Sequence, residues 1–236
     1  IRAYKEKIDK NRFLQNLLLD NMLLVDVYNQ AKKLHIENDQ KRIVFLVEAK
    51  SKDNQILLET MKGMYASGMK DFVTAVDESS VILVKALEET DGYREVYESA
   101  KSIADTVSAE AMVNIRVSYG TIIHELKDVS KSYKEAGMAL DVGRIFYPGH
   151  NILAYNELGI GRLIHQLPLS LCDMFLKEVF GERDVSEFEE ETLSTVYKFF
   201  ENNLNISETA RQLYIHRNTL VYRLEKIQKL TGLDVR

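Results

Sequence analysis

Arg217, Asn218, Thr219, Tyr222, Arg223 and Lys226 can all donate hydrogen bonds, and none of them is acidic. Thr219, Tyr222, Arg223 and Lys226 stand at i, i+3, i+4 and i+7, so on a helix they share one face, with Arg217 and Asn218 at its exposed start. Arginine and asparagine can bond base edges bidentately, while lysine, tyrosine and the free amides of a helix N-terminus can reach phosphates. Leu220, Leu224 and Ile227 form a second face at i, i+4 and i+7, which must pack on preceding helices. Upstream, Asn205 followed by Glu208 fits a capping box, with Ala210 and Leu213 as the inward positions of a short helix. Tyr214-Ile215-His216 makes a turn with Ile215 buried, and the second helix runs from about Arg217 to Leu230 and closes at Gly232. Short helix, three-residue turn and donor-rich second helix is the layout that places a recognition helix in the major groove. A helical hairpin whose polar face merely meets water has the same pattern.

Charge separates this segment from the rest. The chain of 236 residues carries a net −5. From Ser207 to Arg236 there are six Lys/Arg and three Asp/Glu, a local +3, so the preceding residues carry −8. A basic tail on an acidic body is the pattern of a localised anion-binding module. The single cysteine, Cys172, has no disulfide partner or companion at metal-ligand spacing, and reads as a buried small hydrophobe in a reducing compartment. No stretch approaches the roughly 18 apolar residues of a membrane span. The chain begins at Ile1 with no methionine or leader, so it reads as a piece of something longer with an upstream domain.

The elements that must position the tail follow from periodicity. Residues 3–37 read as helix with a break at Asp20-Asn21; Phe13, Leu17 and Leu18, then Leu23, Val27, Ala31 and Leu34, form the apolar stripe. The run 43–47 is a strand buried on both faces, a helix covers about 54–65, and strands at 72–76 and 81–84 flank a tight turn at Asp77-Glu78-Ser79-Ser80. A helix over 94–109 turns Val96, Ala100, Ile103 and Val107 inward. A strand over 113–119 stops at Gly120, a helix covers 128–142, and 152–154 adds an edge strand. Beyond Tyr155 only helices are expected: 157–166, 169–180 after Pro168, and one bearing Leu193, Val196, Phe199 and Phe200. The acidic run from Glu187 to Glu191 suits that last helix's N-terminus without any function. The class is α+β: a helical segment over 1–39, a central domain over 40–155 with a mainly antiparallel sheet, and an all-α domain over 156–236.

The string from Asn205 to Ile227, with His-Arg-Asn-Thr-Leu-x-Tyr-Arg-Leu at 216–224 and Thr231-Gly232-Leu233 beyond, resembles the C-terminal helix-turn-helix of the PucR and carbohydrate diacid regulator family. Tyr214 stands where many helix-turn-helix proteins have glycine. Phe13-Leu14-x-x-Leu17-Leu18 and Leu34-His35-Ile36 are similar to the family's linker, with His35 where glycine is common, and residues 43–154 are similar in element order to its GGDEF-like domain. The resemblance implies transcription regulation through double-stranded DNA, with contacts from Arg217, Asn218, Thr219, Tyr222, Arg223 and Lys226. Ser207, at the start of the first helix, is a further candidate contact. It also implies a small-molecule effector, such as a sugar diacid, acting through a sensor domain outside this chain. Because one such motif reads only a few base pairs, a homodimer is expected, in the cytoplasm.

The GGDEF-like resemblance raises nucleotide cyclisation as a competing function, with the helix-turn-helix as a targeting module. Such an enzyme needs carboxylates for two metal ions and a glycine-rich hairpin. Here the hairpin has Asp77 and Glu78 without a glycine pair, and the first strand ends with one acid, Glu48. Asp77 and Glu78 read as turn formers, so no catalytic residue, metal ligand or cofactor is assigned. His124-Glu125 lacks the second histidine of a zinc protease helix, and His216, alone in a tight turn, is expected to bond to local backbone. Further readings are a purine-catabolism regulator of the same family and an interaction scaffold that no longer binds DNA.

Overall fold

The computed structural model describes residues 2–49, 54–65, 70–75, 77–78, 80–112, 114–181 and 189–236. They divide into two compact units, Ile1–Gln166 and Leu167–Arg236.

In the first unit, α1 (Arg2–Leu18) and α2 (Leu24–Lys33) precede β1 (Arg42–Ala49) and α3 (Asn54–Tyr65). Next come β2 (Phe72–Thr74), β3 (Ser80–Ala86), α4 (Tyr93–Ala111) and β4 (Ile115–Tyr119). A 3₁₀ turn leads into α5 (Val129–Phe146), followed by β5 (Ile152–Ala154) and the short α6 (Gly161–His165). The sheet order is β2-β3-β1-β4-β5, antiparallel except where β5 joins β4. The expected α+β class and element order hold.

Alternation along β1 divides the interior between two faces. Val44 and Leu46 pack with Phe13, Leu14, Leu17, Val27 and the α5 residues Val129, Ala136 and Leu140. Ile43, Phe45 and Val47 pack with Leu57 and Met61 of α3 and with Val96, Ala100, Ile103 and Val107 of α4. A strand covered on both sides must be apolar at every position, which is why 43–47 has no polar alternation. The N-terminal helices therefore share a core with the sheet.

Several local readings are corrected. The expected apolar stripe of the N-terminal helices includes Leu23, but Leu23 caps α2 and is exposed; residues 19–23 lie between the two helices. Strand β2 stops at Thr74, α5 extends to Phe146, and the first of the C-terminal helical segments begins only at Gly161 after a 3₁₀ turn. Val76, Ser79 and Val113 lie outside the described residues. His35 ends α2 with φ 56°, the left-handed geometry that makes glycine common there. Gly120 is needed for another reason: a Cβ on it would come within 2.1 Å of the Ser132 carbonyl oxygen. That close approach lets the Ser132 hydroxyl accept from the Val44 N–H at 3.2 Å and donate to Thr121 O at 2.9 Å.

The second unit contains α7 (Leu169–Phe180), α8 (Glu190–Glu201), α9 (Ile206–Gln212) and α10 (Arg217–Thr231). Its core is Phe199, Ala210, Leu220, Leu224 and Ile227, flanked by Val196, Leu213 and Ile215. Of the four apolar residues named for α8, Leu193 and Phe200 are exposed. Cys172 is half-exposed on α7 rather than buried, since no residue of that helix is buried.

Candidate nucleic-acid interface

The site is built on three short helices. Asn205 caps α9, its side chain accepting from the Glu208 N–H at 3.0 Å. The reciprocal half of the expected capping box is not made. Instead the Glu208 carboxylate accepts from Arg211 and from Gln212, which holds its pKa down at about 2. Thr209, fully buried, returns its hydroxyl to Asn205 O at 2.7 Å.

The chain then reverses. Tyr214 takes φ 55°, the left-handed geometry usual for glycine, with its ring 96% exposed. Ile215 donates its N–H to Ala210 O at 3.0 Å and tucks its side chain against the core. His216 caps α10, its Nδ1 accepting the Asn218 N–H at 3.2 Å, so the expected local bond is made. Gly232 closes α10 at φ 76° and donates to Gln228 O.

Leu220, Leu224 and Ile227 face inward, leaving the opposite side of α10 to solvent. Arg217, Asn218, Thr219 and Tyr222 are exposed along the first two turns of α10, Arg217 because it opens the helix, and Ser207 is exposed on the first turn of α9. Arg217, Asn218, Thr219 and Tyr222 are thus all open to solvent at the start of α10. The other two expected contacts are engaged elsewhere on α8. Arg223 pairs with Glu191 and donates to Thr195 Oγ1 at 3.3 Å, while Lys226 pairs with Glu189 at 3.1 Å. The acidic run thus has a role that its position at a helix start did not reveal; Glu187 lies outside the described residues.

Two side chains of this surface escaped the sequence reading. Lys229 is exposed seven residues after Tyr222 and eleven after Asn218, and Tyr214 projects from the turn. The signal for Lys229 is its spacing from Asn218 and Tyr222 on the stripe opposite the Leu220–Ile227 face. That stripe also carries the exposed acid Glu225. Its place in the third turn keeps it away from the helix start, where base contacts concentrate.

In the first unit the carboxylates singled out from the sequence engage separate partners. Asp77 accepts both the N–H and the hydroxyl of Ser80 at 2.8 Å, closing the turn before β3. Glu48, on the face of β1 toward α5, pairs with Arg144. Among the described residues no three His, Cys, Asp or Glu side chains gather to hold a metal ion. No described helix is long and apolar enough to cross a membrane.

Residues 192–236 match the PucR C-terminal helix-turn-helix domain, and residues 21–142, just over half of the chain, match a GGDEF-like domain. A purine catabolism regulatory protein of Bacillus subtilis (strain 168) is 26% identical over 96% of this chain and 46% of its own length. A carbohydrate diacid regulator of Escherichia coli (strain K12) is 23% identical over 87% of this chain and 56% of its own. The DNA-binding transcriptional activator AdeR of Bacillus subtilis (strain 168) is 22% identical over 81% of this chain and 45% of its own. The chain spans about half the length of these curated relatives.

Proposed function

This chain belongs to the PucR and carbohydrate diacid regulator family, and we propose that it acts as a DNA-binding transcription regulator of catabolic genes. The observation that carries this reading is the open start of α10, where Arg217, Asn218, Thr219 and Tyr222 stand exposed above a helix pinned by Leu220, Leu224 and Ile227. In this reading Arg217 and Asn218 contact base edges, and Thr219, Tyr222, Ser207 and Lys226 contact phosphates. One helix-turn-helix reads few base pairs, so the working species is a homodimer on half-sites about 34–36 Å apart.

The relatives' names support sugar diacid or purine breakdown as the regulated process; the proposal adds a small-molecule effector bound by a part of the protein outside this chain. The setting is the cytoplasm, and the GGDEF-like domain is a non-catalytic scaffold. Support for that last point is the engagement of Glu48 by Arg144 and of Asp77 by Ser80. Incubation with Mg²⁺ and GTP should leave the nucleotide unchanged.

The test is selection of genomic fragments on the immobilised chain, followed by titration of a recovered duplex at several salt concentrations. Retained fragments should share a sequence, and the logarithm of affinity should fall linearly with the logarithm of salt by about 0.9 per phosphate contact. A flat salt response would remove DNA from the function.

A further inference from the structure

Arg223 stands apart from the other donors of α10. It lies three residues after Leu220 and four before Ile227, both buried, so it sits at the margin of the core-facing stripe rather than on the open side with Tyr222. Its side chain is only 19% exposed. One terminal nitrogen meets the Glu191 carboxylate, and the other donates to Thr195 Oγ1 at 3.3 Å. Thr195 is itself wholly buried and donates its hydroxyl to Glu191 O at 2.8 Å. The guanidinium therefore spans from α10 onto the first two turns of α8, where both of its partners are fixed.

We propose that Arg223 is a positioning residue: with Glu191 and Thr195 it locks α10 against α8 and sets the angle at which Arg217, Asn218 and Tyr222 meet DNA, without touching DNA itself. The proposal rests on the DNA-binding reading above. Its physical basis is that a guanidinium has donors in a planar fork, and this fork already holds a carboxylate and a hydroxyl on a neighbouring helix. To reach a phosphate, Arg223 would have to abandon Glu191 and leave that carboxylate unneutralised beside the DNA backbone. Lys226 differs. It has a single ion pair to Glu189 and is 42% exposed, so its ammonium remains open to a phosphate.

The sign of one substitution separates the two roles. Glu191 is 63% exposed, so Glu191→Gln puts little of the fold at risk. Simple electrostatics says that removing a negative charge near a phosphate-binding surface tightens binding. A positioning bridge says that it weakens binding, because the lock on Arg223 is lost. The experiment measures affinity against salt for the unaltered chain, Arg223→Ala, Arg223→Lys, Glu191→Gln and the Arg223→Ala/Glu191→Gln pair. The probe is a short duplex selected on the unaltered chain from a randomised library.

Each single change should weaken binding roughly tenfold, and the pair should be no weaker than Arg223→Ala alone, as expected for groups acting through one interaction. The salt slope should stay at the unaltered value, and Arg223→Lys should fail to rescue. Lys226→Ala, as the comparison, should lower the slope by about one. A slope reduced by about one in Arg223→Ala, or equal or tighter binding by Glu191→Gln, would overturn the positioning role and make Arg223 a phosphate contact. Failure of the unaltered chain to retain any duplex is a separate outcome: it refutes the DNA-binding reading, and the positioning role with it.

Discussion

The two units of this chain handle polar side chains in opposite ways. In the sheet unit almost every polar group near the interior is consumed locally. Arg42 is buried and donates to Glu37 O and Gln40 O; burial draws its pKa down to about 10 against the opposing pull of Glu37. Ser132 stitches α5 to β1, Asp77 closes a turn, and Glu48 neutralises Arg144. The helical unit has a small core and turns Arg217, Asn218, Thr219, Tyr222 and Lys229 outward, and among the described residues Arg217 and Lys229 form no ion pair. An arrangement with spare donors exposed on a fixed helix can bind, whereas one whose polar groups are mostly taken up inside, with only Asn38 Oδ1 and Arg42 Nε left over among the described residues, chiefly holds shape.

The strongest way to break this comparison is to remove a core side chain from each unit. Phe45 is fully buried and meets Tyr119 edge-to-face at 5.7 Å, so Phe45→Ala should cost about 3–5 kcal/mol. Leu224→Ala should cost about 2–5 kcal/mol, which a core of so few residues cannot absorb. Denaturant unfolding followed by near-ultraviolet and far-ultraviolet circular dichroism reads both. Leu224→Ala is expected to abolish DNA retention while the tyrosine signal of the sheet unit persists. Loss of both signals together in either variant would show that scaffold and reader are not separable.

These contrasts were unevenly legible in the sequence. Periodicity disclosed the doubly covered β1 and the α4 stripe of Val96, Ala100, Ile103 and Val107, because burial on a regular element leaves a repeating mark. The residue string disclosed the helix-turn-helix. Pairing between elements left no such mark. Glu189 and Glu191 looked like helix-start acids, and only the packing of α8 beside α10 reveals that they take up Lys226 and Arg223. Leu193 and Phe200 show a related limit: apolar type does not say which side of a helix a neighbour covers, and α8 is covered on the Thr195–Phe199 side.

A sharper and smaller test concerns the outward donors themselves. Arg217→Ala removes an exposed side chain that makes no ion pair among the described residues, so the unfolding midpoint should move by no more than about 0.5 kcal/mol. Binding to a selected duplex should nevertheless weaken by about 1–3 kcal/mol, with discrimination relaxed at one base position. That split is the signature of a reading residue. Equal losses in stability and binding would place Arg217 with the scaffold instead.

The smallest effect comes from Glu208, where the reader unit behaves like the scaffold. Its carboxyl is lowered from 4.5 to about 2, first by the hydrogen bond from Arg211 and then by that from Gln212. A carboxylate with a lowered folded-state pKa stabilises the fold above its ordinary range and loses that contribution as pH falls through the folded value. The window here runs from about 4.5 down to about 2. Because the carboxylate is open to solvent at the protein surface, solvent screens the pair and the change should be slight. Helical ellipticity of the unaltered chain should therefore decline over that window relative to Glu208→Gln, whose amide does not titrate. Parallel curves for the two proteins would mean that Arg211 is not held by Glu208 in solution. Its charge would then be open to phosphate, adding one more cation to the surface around Arg217.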